Sequence, residues 1–220
     1  MFTMRGAIPY LIVFLGFWSI CIIFIKYCKI KVQEESLTID IMPADDPGFI
    51  ITPASVQQVL KKIHTEVEDP KEFILSRRIN IALVNLKNIG NISDVDKILS
   101  TQADHDEAMV DSSYTALRGF IWAIPVLGFI GTVLGLSGAL GSFGSVLSNA
   151  NEMEQLRGAL QNVTAGLSTA FETTLEGLIA ALTVHMLMIA VQRREEKFLD
   201  ECKDYCQKYI VSKLRLDSVG

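Results

Sequence analysis

Three stretches of this chain carry almost no charge, and each is long enough to cross a lipid bilayer. Ala7–Ile25 runs 19 residues without a charged side chain. No charge stands between Arg118 and Glu152, nor between Glu176 and Arg193. A hydrocarbon core of ~30 Å needs about 20 predominantly apolar helical residues, with backbone polar groups bonded inside the segment. The pattern predicts an all-α membrane protein with three transmembrane helices, near residues 7–27, 119–148 and 160–192. The first run has lysines after it, at Lys26, Lys29 and Lys31, and no small-x-small cleavage pattern. It therefore reads as an uncleaved anchor rather than a signal peptide.

Orientation follows the basic residues beside the membrane ends. With three spans, Lys26, Lys29, Lys31, Arg118, Arg193, Arg194 and Lys197 share one side, against Arg5 and Arg157 on the other. The N-terminus is expected outside and the C-terminus in the cytoplasm, with a short outer loop near Asn149–Leu156. This predicts four parts: an anchor at 1–28, a cytoplasmic helical insert at 29–117, a two-helix membrane hairpin at 118–194, and a cytoplasmic C-terminal helix at 195–220. Residues 33–117 hold 15 acidic and 7 basic side chains, a net of −8, which argues against nucleic acid as a partner. The four cysteines form no zinc pattern and are expected as free thiols in a reducing compartment.

Within the insert the pattern is helical throughout, with no strand-like alternation. One helix is expected after Pro53, with Val56, Val59, Leu60 and Ile63 in register. A second follows Asp69-Pro70, through Phe73, Ile74, Arg77, Ile81, Val84 and Leu86, ending near Gly90. A third starts with Ser93 as its cap and runs toward the second span. In the tail, Phe198, Cys202, Tyr205 and Tyr209 share one stripe. The cluster "ADHDEAM", Ala103–Met109, is expected to be solvated rather than metal-binding. No phosphate loop, HExxH or nucleophile elbow is found, so an enzyme is not expected.

The second and third spans are unusual. At 1.5 Å per residue, the 30 residues of the second reach about 45 Å, so the two predict an extended antiparallel hairpin. Glycines stand at 128, 131, 135, 138, 141 and 144, a small-residue stripe that permits close helix approach. Gly158, Gly166, Ala170, Gly177 and Ala181 answer it in the third span. That span also keeps acids in "GLSTAFETTLEGLIAAL", Gly166–Leu182. A charge at mid-bilayer costs at least about 2.5–3.5 kcal/mol, so Glu172 and Glu176 need a role or a partner. At 100° per residue, Thr169, Glu172, Thr173 and Glu176 cover about a quarter of the helix, while Thr174 points about 160° from Glu176. Three readings of the glutamates stay open: proton relays, hydrogen-bonded groups at subunit contacts, or solvated residues near the interface. His185 is expected to pack, or to bond backbone, toward the cytoplasmic end.

Two segments resemble the signatures of the MotA/TolQ/ExbB proton-channel family. "IPVLGFIGTVLGL", Ile124–Leu136, is similar to its Pro-x-Leu-Gly-x-x-Gly-Thr-Val-x-Gly motif. Ala170, Thr174, Gly177 and Leu178 match its Ala-x-x-x-Thr-x-x-Gly-Leu helix. Three spans place the chain nearest the ExbB and TolQ branch. The resemblance implies an ion-conducting subunit, for H⁺ or possibly Na⁺, of an inner-membrane motor, with no other cofactor. It implies a homopentamer around a dimer of an ExbD-, TolR- or MotB-like single-span protein carrying a membrane aspartate. Carried over, Thr132 and Thr174 line the pore, Pro125 marks the cytoplasmic end of the second span, and Gly128, Gly131, Gly135, Gly138 and Gly177 pack helices. Thr173, Glu172 and Glu176 complete the candidate ion pathway. A non-conducting scaffold or signalling subunit on the same fold is the alternative.

Overall fold

The computed structural model describes residues 7–38, 56–57, 61, 72–89, 92–149 and 153–213. Five α-helices run through them: α1 (Ile8–Glu35), α2 (Ile74–Ile89), α3 (Ile92–Ser113), α4 (Thr115–Asn149) and α5 (Met153–Tyr209). Short 3₁₀ turns follow α1 at Ser36–Thr38 and α5 at Val211–Lys213. Among the described residues there is no strand. Three helical stretches, Ile8–Glu35, Asp94–Gly141 and Leu156–Lys213, are long and apolar enough to cross a membrane. The second includes the one-residue turn at Tyr114, where α3 passes almost directly into α4. The Tyr114 carbonyl still accepts the Arg118 N–H at 2.9 Å, so the helical ladder resumes at once.

The chain divides into two compact units. One comprises Met1–Phe24 and Tyr114–Ala190, the other Ile25–Ser113 and Val191–Gly220. Helix α5 passes unbroken from one to the other over 57 residues, about 86 Å, so the tail continues the third span rather than forming a separate helix.

In the second unit α2 is held at its start by α1. The Gln33 side chain accepts the Ile74 N–H at 3.0 Å and donates to the Glu72 carbonyl at 2.8 Å. It thereby satisfies one of the orphan donors of a helix N-terminus. The core is built from Ile30 of α1, Leu75, Ile79, Ala82 and Leu83 of α2, Val95 and Leu99 of α3, and Phe198, Leu199, Cys202 and Cys206 of α5. Leu75, Arg78, Ile79 and Ala82 are buried, whereas Ile74, Arg77 and Ile81 are half-buried and Val84 is exposed. Helix α3 begins at Ile92, so Ser93 lies inside it rather than capping it, and Asp94 supplies the acid of the first turn. The helix expected after Pro53 falls mostly outside the described residues, with Val56, Gln57 and Lys61 helical.

Two ion pairs join α1 to α5 here. Arg194 donates from Nε and Nη2 to the two Glu34 oxygens at 2.7 and 2.5 Å, and its guanidinium lies 5.2 Å from the Tyr27 ring centre. This fork holds the Glu34 carboxyl below its ordinary pKa and raises that of Arg194. Lys26 reaches Glu195 at 3.5 Å and donates to Ser113 Oγ at 2.6 Å. Cys202 and Cys206 are buried in apolar surroundings, and burial pushes each thiol up to about 12. A maleimide reagent near neutral pH is therefore expected to label neither until the unit is unfolded. Rapid labelling of both in the folded protein would contradict this packing.

Candidate functional site

In the first unit, α4 and α5 run antiparallel at close range, and the small residues of both make this possible. A Cβ built at Gly177 would stand 3.1 Å from the Ile124 carbonyl oxygen and 3.4 Å from Gly128 Cα. One built at Gly128 would stand 3.2 Å from Thr174 Cα, and one at Gly135 would stand 3.3 Å from Ala170 Cβ. Gly131 faces the Thr173 methyl, at 2.6 Å from its ideal Cβ, and the Ile8 side chain of α1 at 3.3 Å. A Cβ built at Gly138 or Gly141 would meet nothing within 4 Å outside its own stretch of helix. Among the described residues, the first half of the glycine stripe, Gly128, Gly131 and Gly135, thus packs within the chain. Pro125 sits inside α4 within this contact, next to Ile124, and leaves the Ile121 carbonyl without its usual helical donor.

A larger residue at Gly177 meets backbone, which cannot rotate away. Gly177→Leu is expected to destabilise the protein by more than the ~1–3 kcal/mol typical of overpacking, whereas Gly138→Leu leaves the single chain's packing intact. Thermal melting in detergent, followed by size-exclusion chromatography, checks both. Equal melting temperatures for the two variants would contradict the close approach.

The contact brings Thr132 and Thr174 together. Their hydroxyls meet directly. Thr132 Oγ1 also lies 3.2 Å from the Gly128 carbonyl in its own helix and 3.1 Å from the Ala170 carbonyl across the gap. Thr174 Oγ1 mirrors this, 3.2 Å from Gly128 O across the gap and 3.5 Å from Ala170 O in its own helix. The spacing explains the symmetry: each threonine stands four residues after one of the two carbonyls, on antiparallel helices. Two hydroxyls have only two protons to serve each other and two carbonyls. Donation can therefore be exchanged among the contacts without moving a heavy atom. Both side chains are half-buried, so the pair keeps an accessible side.

The other residues of the polar segment divide around the helix. Thr173 is buried at 3% exposure, packs its methyl on Gly131, and returns its hydroxyl to the Thr169 carbonyl at 2.9 Å. It occupies the helix contact, not the Thr132–Thr174 cluster. Glu172 and Glu176 are half-buried on the opposite flank of α5 from Thr174. Ser168 Oγ lies 3.4 Å from Glu172 Oε1, one turn back. His185 is exposed in the single chain. Around these groups α4 and α5 expose Trp122, Phe129, Leu134, Phe171, Leu175, Leu182 and Met186. Apolar exposure on this scale is a surface for lipid or neighbouring helices.

Sequence reasoning missed one cluster outside this site. Asp106, from the segment expected to be solvated, is 2% exposed, while Asp104, His105 and Glu107 are exposed. Asp106 accepts Arg78 Nε at 2.7 Å, Arg77 Nη2 at 2.6 Å and Gln102 Nε2 at 3.0 Å. The signal was present: Leu99, Ala103, Asp106 and Val110 recur at helical spacing on one face. Among the described residues no group of His, Cys, Asp and Glu is placed to hold a metal ion.

No curated protein and no solved structure matches the chain. The sequence model of a family described as the MotA/TolQ/ExbB proton channel family does match, over residues 66–204. That range begins well before the two signature segments and takes in much of the stretch between the first and second spans. It covers more than half of the chain, and with three bilayer-length helices this multi-pass membrane protein belongs to the MotA/TolQ/ExbB proton channel family.

Proposed function

We propose that the chain is the ion-conducting subunit of an inner-membrane motor complex, and that it couples proton flow to movement of a partner dimer. The observation that carries this reading is the Thr132–Thr174 hydroxyl pair, set between two apolar helices at their closest approach. Hydroxyls both donate and accept. They can hold water or hydronium, or meet a protonated carboxyl, without fixing a charge in the pathway. Five copies surround a dimer of an ExbD-, TolR- or MotB-like single-span protein, whose membrane aspartate faces the hydroxyl pair. A potential of 100 mV acts on each unit charge with about 2.3 kcal/mol, enough to bias that carboxylate between two states.

In this reading the N-terminus is periplasmic and the C-terminus cytoplasmic. Residues 1–28 anchor the chain, 29–117 form a cytoplasmic insert, 118–194 form the channel hairpin, and 195–220 lie in the cytoplasm. Gly138 and Gly141, where an added Cβ meets nothing in the single chain, pack against a neighbouring copy. Glu172 and Glu176, on the flank away from the hydroxyl pair, serve contacts between copies. Glu172→Gln is accordingly expected to keep both assembly and most of the flux. A large loss of flux in an assembled Gln variant would make Glu172 a relay instead.

The test is co-expression with a single-span, aspartate-bearing protein of the ExbD, TolR or MotB type, followed by reconstitution into vesicles. An imposed potential is expected to acidify the vesicle interior only when both proteins are present. An assembled complex that conducts neither H⁺ nor Na⁺ would leave a scaffold in place of a channel.

A further inference from the structure

The second unit contains a buried cation with one arm unused. Arg78 is 1% exposed. Its Nε donates to Asp106 and its Nη1 to the Leu199 carbonyl at 3.3 Å, but Nη2 is buried without a hydrogen-bond partner. Arg77 leans on the same carboxylate, so two guanidinium groups share one negative charge. Arg78 also lines a cavity of about 120 Å³ between α2, α3 and α5. Around it stand Lys203 and Gln207 of α5 and Ser100 and Asp96 of α3, with Leu99 and Cys206 supplying apolar wall. Lys203 makes no ion pair among the described residues.

A buried guanidinium with one arm unpaired, an ammonium, a hydroxyl and an amide thus belong to the residues that line one small cavity, and all four are donors for an oxyanion. We propose that this cavity binds a single phosphate group, with Arg78 as its buried anchor and Lys203 at its mouth. The size and the surroundings set the class. A second cavity shares Arg78 and Lys203 but is edged by Asp104, Glu107, Glu196 and Asp200, which repel a longer polyanion. The site therefore takes inorganic phosphate or a small phosphomonoester in preference to a nucleoside triphosphate.

The test uses the full chain in detergent, titrated by calorimetry with inorganic phosphate, glycerol 3-phosphate and ATP at constant ionic strength. Phosphate is expected to bind with one site per chain, and ATP more weakly. Comparable binding of glycerol 3-phosphate identifies a phosphomonoester site, and its exclusion identifies a free-phosphate site. Removing Arg78 puts folding at risk, so the deciding variants lie at the mouth. Lys203→Gln is expected to weaken phosphate about 10-fold, the loss of one charge-assisted contact. Asp96→Asn is expected to tighten it by about 3-fold, by removing a like charge. Absence of phosphate binding in the parent, or affinities that neither variant moves, would overturn the proposal. Neither result bears on ion conduction.

Discussion

Asp106→Leu is expected to unfold the second unit, or to lower its melting temperature by about 10 °C. The reason is the partner left behind. Arg78 is buried, and two of its three nitrogens are fixed, one of them by Asp106. Removing one member of a buried ion pair typically costs about 3–5 kcal/mol, because the other charge stays desolvated. Against a total stability of order 5–15 kcal/mol that is a large fraction, and in a protein of this size each kcal/mol moves the melting temperature by about 2–4 °C. The double variant Arg78→Met with Asp106→Leu separates charge from shape. It replaces the pair by apolar groups and is expected to recover much of the loss, as buried pairs often permit. Asp106→Asn should fall between, since it keeps one acceptor but turns an amide donor toward guanidinium groups. Thermal melting of the four proteins in one detergent decides this. An Asp106→Leu variant that melts with the parent would show that the pair is solvated and not central.

The same cluster marks where the sequence stopped being legible. Spans are read from the absence of charge over bilayer length, a signal that tertiary packing cannot reverse. Helix existence in α2 and α3 follows from local periodicity. Which face of α2 is buried does not, because apolar residues lie on several sides of it. The buried face is the one that carries Arg78, and a buried arginine is legible only together with the aspartate that neutralises it, 28 residues away. The continuity of α5 was hidden for a related reason. Arg193 and Arg194 look like an end, but a helix leaving an apolar setting for a polar one needs no break in its backbone.

In the membrane unit, the two signature segments carried more than composition did. Nothing in periodicity says that Thr132 meets Thr174. Their contact depends on Gly128 and Gly177 bringing the two helices together, and on both threonines standing four residues after the carbonyls of Gly128 and Ala170. Thr173 shows the limit of the same reasoning. It adjoins Thr174 in sequence and carries the same hydroxyl, yet helical phase turns it onto Gly131 and into the packed contact. The family match beginning at residue 66 likewise extends over helices whose likeness no short motif announces.

Replacing both threonines by valine is expected to reduce partner-dependent proton flux by at least about 10-fold while leaving the complex assembled. Valine is close to threonine in shape, so the α4–α5 contact keeps its packing. The stability lost is small: polar contacts between membrane helices average about 0.6 kcal/mol in double-mutant cycles. The carbonyls of Gly128 and Ala170 remain acceptors in their own helical ladders. Flux responds differently, because valine can neither hold a water molecule nor meet a protonated carboxyl at the crossing. An apolar step of that kind needs to add only about 1.4 kcal/mol to the barrier for a tenfold loss. Thr132→Ser and Thr174→Ser keep the hydroxyl and are expected to stay close to the parent. Thr132→Val and Thr174→Val alone should fall between, since either remaining hydroxyl still spans the gap to both carbonyls. The measurement is acidification of vesicle interiors under an imposed potential, with the mass of each complex verified separately. If the double valine variant assembles and conducts like the parent, the hydroxyls serve packing alone and protons cross elsewhere.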